Sequence, residues 1–377
     1  TVSASSICSG SLVTRVRGVV GGLPGAWAVV TLCTLRFLVG FAEAPSCPGN
    51  SRIVAAWFPT QERGTASAIF NSAQYFATAL FAPLMGWIVF SFGWEHVFVV
   101  MGALGIVFSM VWLKTIYNPR QHPRISPSQL EHIDQIGCLV DMDQKRGNDG
   151  PKWGYVQQLL TSRMLLGVYL GQYCINAITY FFLTWFPVYL VQERGMTILK
   201  AGFIASLPAI CGFIGGVLGG VISDWLLRRG NSLTFSRKLP IVCGLLLSTT
   251  MVFCNYVDAE WMVVGFMTLA FFGKGIGALG WAVVADTSPK QIAGLSGGLF
   301  NTFGNIASIT TPIVIGYIIS ATGSFKWALV YVGANALVAV FSYLVIVGPI
   351  KRIELREDPP KPRPEPAANP QLASPPH

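Results

Sequence analysis

Arg36 and Glu43 stand seven positions apart, two helical turns along one face, inside an apolar run at residues 26–58 that is long enough to cross a bilayer. A charge at membrane depth is costly, by roughly 3 to 15 kcal/mol, so such residues face a water-filled path or bind something. A guanidinium offers five donors in a fixed fork that fits a carboxylate, and it keeps its charge at any relevant pH. Arg36 is therefore a natural anchor for an organic anion. Desolvation raises a carboxyl pKa toward neutrality, so Glu43, nearer the centre of the run, is suited to exchanging a proton at working pH. In this reading an ionised Glu43 competes for the local positive charge, and its protonation frees Arg36 for the solute. The plainer alternatives are an arginine that pairs with a neighbouring helix or reaches to the interface, and a carboxylate that is only a counter-charge.

Lys274 is a second intramembrane cation, in the glycine-rich stretch 273–280, with Trp281 two turns further along the same face. It either faces the solute path or packs against backbone carbonyls. Polar stripes run at helical spacing through otherwise apolar segments: Asn71, Gln74 and Thr78; Gln172, Asn176 and Tyr180; Asn301, Asn305 and Ser308. Hydroxyl-rich solutes need such donors and acceptors, although polar side chains also bond helix to helix in bilayers. All four histidines lie outside the apolar runs, so a histidine proton relay is not expected.

The elements that must position these residues are membrane helices. Hydrophobic residues are 52% and charged residues 11% of the 377, against about 25% charged in an ordinary soluble domain. Nine runs have spanning length: 26–58, 64–92, 94–117, 164–190, 201–227, 239–257, 261–284, 292–320 and 327–347. Arg63, the loop 114–163, the turn 228–238, Lys290 and the tail from Lys351 hold most of the lysines and arginines, against Arg194, Lys200 and Lys326 in the opposite loops. This bias places the central loop and the C-terminus in the cytoplasm of a multi-pass protein of the inner (plasma) membrane. It also locates the net charge of +9 in loops, which argues against nucleic acid as a partner. The eight cysteines have no metal-ligand spacing, and neither metal, cofactor nor disulfide is expected. No nucleophile with a base and no phosphate-cradling loop is present, so an enzyme is not expected.

A repeat organises the chain. At a constant offset of 230 positions Pro59 matches Pro289, Gly64 matches Gly294, Phe70 and Asn71 match Phe300 and Asn301, Gly86 matches Gly316, and Gly93 matches Gly323. The expected organisation is a residual N-terminal segment (1–25), an N-terminal bundle of three spans (26–117), a central cytoplasmic loop (118–162), a C-terminal bundle of six spans (163–349) and a proline-rich, disordered tail (350–377). The first three spans of the C-terminal bundle lack counterparts ahead of residue 26, so three N-terminal helices are expected to be missing. Gly212, Gly216 and Gly220, interleaved with Gly215 and Gly219, form a double ridge for close helix packing, and no ligand role is expected of them. Asp224 with Arg228 and Arg229 reads either as a charge latch between helices or as an inert surface pair. Asp286 and Lys290 read as a similar pair at a helix end, and Arg52 as structural.

The segments RFLVGFAEAPSCPGNSRIVAAWFPTQERGTASAIFNSAQYFATALFAPLMGW, QYCINAITYFFLTWFPVYL, FFGKGIGALGWAVVADTSPK and GLSGGLFNTFGN resemble the bacterial glucarate/galactarate transporters of the anion:cation symporter group, within the major facilitator superfamily. The resemblance implies an all-α membrane protein: a major facilitator bundle with parallel half-repeats, here truncated to about nine transmembrane helices. It implies proton symport of sugar diacids by alternating access. It also assigns the carboxylate contact to Arg36, proton coupling to Glu43, and solute contacts to Gln74, Trp281 and either Asn301 or Asn305. For a dicarboxylate, Lys274 in the opposite half is placed to hold the far carboxylate, with Gln172, Asn176 and Tyr180 completing the wall. The segment GVISDWLLRR resembles the second copy of the superfamily's G-x-x-x-D loop, which makes Asp224, Arg228 and Arg229 gating candidates. The family's first-helix charges and its primary G-x-x-x-D-R-x-G-R-R loop have no match in this sequence. The competing reading is therefore a truncated membrane protein that does not transport. Expected partners are the organic anion, protons and the lipid bilayer.

Overall fold

A computed structural model describes residues 25–43, 46–117, 119–126, 128–131, 138, 153–289 and 292–353. Residues 132–137 and 139–152 of the central loop, the first 24 residues, Lys290 and the tail beyond 353 lie outside the described residues. Among those described, every regular element is a helix. The first expected run holds the described helices α1 (Gly25–Glu43) and α2 (Ser46–Trp57), with residues 44 and 45 outside the described set. α3 (Arg63–Phe92) and α4 (Trp94–Thr115) meet at Gly93, whose φ of 92° lies where side chains are disfavoured.

A short helix α5 (Trp153–Thr161) precedes the C-terminal bundle. α6 (Arg163–Tyr180) passes through a π-turn, Phe181–Trp185, into α7 (Phe186–Gln192). Pro187 explains the wider turn, because its nitrogen cannot donate to the preceding turn and its ring crowds the carbonyl there. α8 (Ile198–Arg228) and α9 (Leu233–Ser248) start at Thr197 and Ser232, whose hydroxyls accept from backbone N–H groups three residues on. α10 (Glu260–Ile276) and α11 (Gly280–Thr287) are followed by α12 (Ala293–Thr322) and α13 (Lys326–Phe341).

Seven helical stretches among the described residues are long and apolar enough to cross a membrane: Glu95–Thr115, Arg163–Gln192, Lys200–Arg228, Leu233–Tyr256, Glu260–Thr287, Ala293–Thr322 and Lys326–Ile346. They coincide with seven of the nine expected runs; the other two expected runs hold α1 with α2, and α3. The repeat is visible in the backbone. α3 and α12 begin and end at positions 230 apart, and Gly93 and Gly323 both terminate their helices with positive φ. α10 and α11 correspond to α1 and α2 at the same offset.

The core lies in the C-terminal half, where Val168, Tyr169, Ile178, Phe181, Ile241, Leu245, Met267, Phe300 and Val332 are buried. Outside it, Phe37, Phe41, Trp87, Phe203, Trp261 and Tyr317 are exposed, as expected of a protein whose outer face meets lipid. The two halves are joined by α3 against α8 and α11, and by α2 against α11 and α12. The glycine ridge of α8 makes the first of these contacts possible. A Cβ at Gly220 would lie 2.5 Å from the Ala68 Cβ and 2.7 Å from the Gly64 carbonyl, and Gly216 faces Ser72. Gly212, Gly215 and Gly219 turn the other way, onto Phe271, Phe272 and Ile276 of α10. The ridge is a packing device on both sides.

Candidate functional site

At mid-depth α10 stops at Ile276 and the chain restarts as α11 at Gly280. The glycines around the break let α10 sit between two neighbours: a Cβ on Gly273 would lie 2.5 Å from the Gly244 carbonyl of α9, and one on Gly275 2.8 Å from the Gly216 nitrogen of α8. Lys274, between these glycines, is directed to the remaining neighbour, α3. Its ammonium donates to the Tyr75 hydroxyl and lies 4.2 Å from the centroid of the Tyr75 ring and 5.2 Å from that of Phe271. Both residues are buried, Lys274 at 1% exposure and Tyr75 at 4%. Among the described residues no carboxylate pairs with Lys274.

A polar wall forms in the C-terminal half. Gln172 Nε2 donates to Asn176 Oδ1 at 3.3 Å, and the pair lies against Gly304 of α12 and Gly280 of α11, where any side chain would collide with it. Trp281 is half-buried and meets Phe300 edge-on at 4.8 Å. Asn301 is half-buried, and its carbonyl accepts from Asn305 Nδ2 at 3.0 Å. Asn305 itself is exposed, and Tyr180, one turn beyond Asn176, is half-buried at the start of the π-turn. Gln172, Asn176, Trp281 and Asn301 are thus gathered where α6, α11 and α12 meet, whereas Lys274 points to α3.

On the N-terminal side, Arg36 falls within α1 and its side chain is outside the described set, as is that of Arg52. Glu43 is the last residue of α1 and is exposed, so burial is not what sets its environment here. Gln74 and Thr78 are exposed on α3, with Asn71 half-buried.

The connector-side ends carry a latch whose membership differs from expectation. Asp224 accepts from the backbone N–H groups of Gly64 at 3.0 Å and Thr65 at 2.5 Å, and so caps the N-terminus of α3, where the helix dipole favours a negative charge. Its cation is Arg237 of α9, whose Nη1 donates to Asp224 at 2.9 Å and whose Nε donates to Asp286 at 3.0 Å. Arg63 reaches Asp286 from the other half at 3.4 Å, and Arg237 also donates to the Thr60 carbonyl at 3.1 Å. All four charged groups are buried. Arg228 pairs instead with Glu62 at 3.1 Å on the surface, and Arg229 lies over the Trp225 ring at 3.8 Å. The expected grouping of Asp224 with Arg228 and Arg229 is therefore corrected: Arg228 lies one turn from Asp224 but reaches outward to Glu62, Arg229 stacks on Trp225, and the next helix supplies the buried partner of Asp224. The expected pairing of Asp286 with Lys290 falls partly outside the described residues, and the described partners of Asp286 are the two arginines.

The chain beyond α13 closes over this cluster. Ile350 donates to Thr234 Oγ1 at 2.9 Å, Ile353 donates to the Thr287 carbonyl at 2.9 Å, and Ile350 is buried. Arg352 is brought near the latch; burial, and then the Arg63 charge, lower its pKa, while Asp286 opposes them.

Tyr75, Arg63, Arg237 and Asp286 are the site and latch residues that inspection of the sequence did not single out for these roles. The repeat holds a signal for Tyr75, because its counterpart 230 positions on is Asn305, a polar residue on the equivalent helix.

A sequence profile described as Major Facilitator Superfamily matches residues 9–236 and 232–376. The chain belongs to the major facilitator superfamily. It is 66% identical to a probable galactarate/D-glucarate transporter, GudP, of Escherichia coli (strain K12), over 93% of this chain and 79% of that protein. The corresponding GudP of Bacillus subtilis (strain 168) is 63% identical over 95% of this chain and 79% of its own length. A D-galactonate transporter of Escherichia coli O6:H1 is 42% identical over 87% of this chain and 76% of that one. Among solved structures, the proton:xylose symporter XylE superposes with a TM-score of 0.68 at 15% identity, covering 92% of this chain and 81% of that chain, a likeness of fold.

Proposed function

We propose that this major facilitator protein is a secondary transporter that imports sugar diacids of the galactarate/D-glucarate class together with protons, by alternating access. The observation that carries the reading is the interrupted helix α10–α11, with the cation Lys274 buried beside the break. α1 with α2 are the repeat equivalents of α10 with α11, and Glu43, the last residue of α1, is exposed in the half opposite Lys274. Interrupted helices at the bilayer midplane are where transporters of this kind build their sites. The high identity to proteins named as galactarate/D-glucarate transporters supports the substrate class.

In this reading Arg36 holds one carboxylate in a bidentate fork and Lys274 holds the other, one from each half of the protein. The hydroxyls of the solute meet Gln172, Asn176, Tyr180 and Trp281 on one side and Gln74, Asn301 and Asn305 around them. Glu43 carries the coupled proton: its exposure gives it water access, and protonation removes a negative charge that competes for Arg36. The connector side is the cytoplasmic side of the inner membrane, by the lysine and arginine bias, so the latched state is closed to the cytoplasm. Inward opening requires Asp224 to leave the end of α3 and Arg63 to leave Asp286, contacts that join the two halves.

The test is uptake of radiolabelled D-glucarate into proteoliposomes under an inwardly directed proton gradient. The native protein accumulates solute above equilibrium; Glu43→Gln loses accumulation while retaining solute exchange across the membrane. Accumulation that survives E43Q removes Glu43 from the coupling role, and a native protein without uptake removes the transport reading.

A further inference from the structure

We infer that Tyr75 is a placeholder for the solute: its hydroxyl holds Lys274 across the two halves while the site is empty, and the distal carboxylate of a bound diacid takes Lys274 from it. This rests on the transport reading and adds to it a residue that sets diacid specificity.

The hydrogen-bond inventory of the two groups gives the direction. An ammonium only donates, so the phenol oxygen is the acceptor, and the Tyr75 hydroxyl hydrogen must point away from Lys274. Tyr75 is thereby left able to donate to an incoming oxygen. The bond is fixed in place, because the Tyr75 ring packs edge-on against Phe271 at 5.3 Å, and Phe271 belongs to the same turn of α10 as Lys274. One turn toward the connector on α3, Ser72 is pressed against Gly216 of α8.

The chemistry of the pair is incomplete without an anion. Lys274 is buried at 1% exposure, and its described partners are a neutral hydroxyl and two ring faces. Such partners compensate a desolvated ammonium only in part, whereas a carboxylate brings the opposite full charge as well as the acceptor oxygen. A solute with one carboxylate, held by Arg36, leaves Lys274 on Tyr75. A diacid of the right length displaces the phenol, and the phenol is then free to donate to the same carboxylate. Because α3 and α10 belong to opposite halves, the exchange replaces a protein–protein bond between the halves with one made through the solute.

Uptake kinetics of the full chain in proteoliposomes, with D-glucarate as the diacid and D-gluconate as the monoacid, test this. Tyr75→Phe keeps the ring and removes the competing hydroxyl, so KM for D-glucarate falls about two- to tenfold while KM for D-gluconate changes less than about twofold. In a Lys274→Ala background the same substitution has no effect on either KM. Equal shifts for the two acids, no shift for either, or a Y75F effect that persists without Lys274 overturns the proposal. If Y75F does not fold, Tyr75→Met, also without a hydroxyl, gives the same reading; if neither folds, Tyr75 is structural and the proposal fails. Absence of D-glucarate uptake by the native protein is the separate result that removes the transport reading itself.

Discussion

The buried charges of the connector-side latch and the buried charge at mid-depth obey opposite rules. Arg63, Arg237, Asp224 and Asp286 alternate in sign, and Asp224 also caps a helix, so each charge taken out of water is answered by another. Lys274 has a hydroxyl and two aromatic faces instead. A fully answered cluster holds two surfaces together. An incompletely answered charge is held at the expense of stability. On the proposed reading, the difference separates the charges that hold the two halves together from the one that a bound diacid would answer.

The largest effect is expected from breaking the latch. Arg237→Leu leaves two buried carboxylates with a single cation, and unfolding free energy in detergent falls by about 3–5 kcal/mol, measured by chemical or thermal denaturation. A melting temperature equal to that of the native protein would show that water or a rearranged partner replaces Arg237. The contrast sharpens at mid-depth. Lys274→Met removes a desolvated cation and keeps the volume, so stability is unchanged or rises by about 1 kcal/mol while preference for D-glucarate over D-gluconate is lost. A Lys274→Met protein that is markedly less stable yet still prefers the diacid would make Lys274 part of the scaffold, like the latch. The smallest effect belongs to the exposed pair beside the latch. Arg228→Ala, which breaks only the half-exposed bond to Glu62, changes stability by less than about 1 kcal/mol. A larger loss on denaturation would extend the latch to the surface.

Particular residues show how far the sequence could be read. The glycine ridge of α8 was legible because small residues at spacings of three and four have one main use in an apolar helix, and both of its faces are in fact packed against other helices. Lys274 was legible as an anomaly, since a lysine within an apolar run demands an explanation. Its partner was not, because a tyrosine in a membrane helix reads equally well as an ordinary apolar residue. The latch was misread in part. Arg228 and Arg229 looked like the partners of Asp224 by proximity, but the bonds that matter join residues 13, 49 and 223 positions apart. Charges near helix ends look the same in sequence whether water or a neighbouring helix surrounds them.

The sequence by itself determined that the chain is a bundle of apolar helices, that two stretches are copies offset by 230 positions, and that ionisable residues lie at depth, because length, hydropathy and spacing are local properties that the bilayer reads directly. Only the tertiary structure decided which charges answer one another, that Lys274 reaches across to Tyr75, and that α10 gives way to α11 beside it. Those outcomes depend on the relative placement of helices far apart in the chain, which short glycine-lined approaches fix and no single helix encodes.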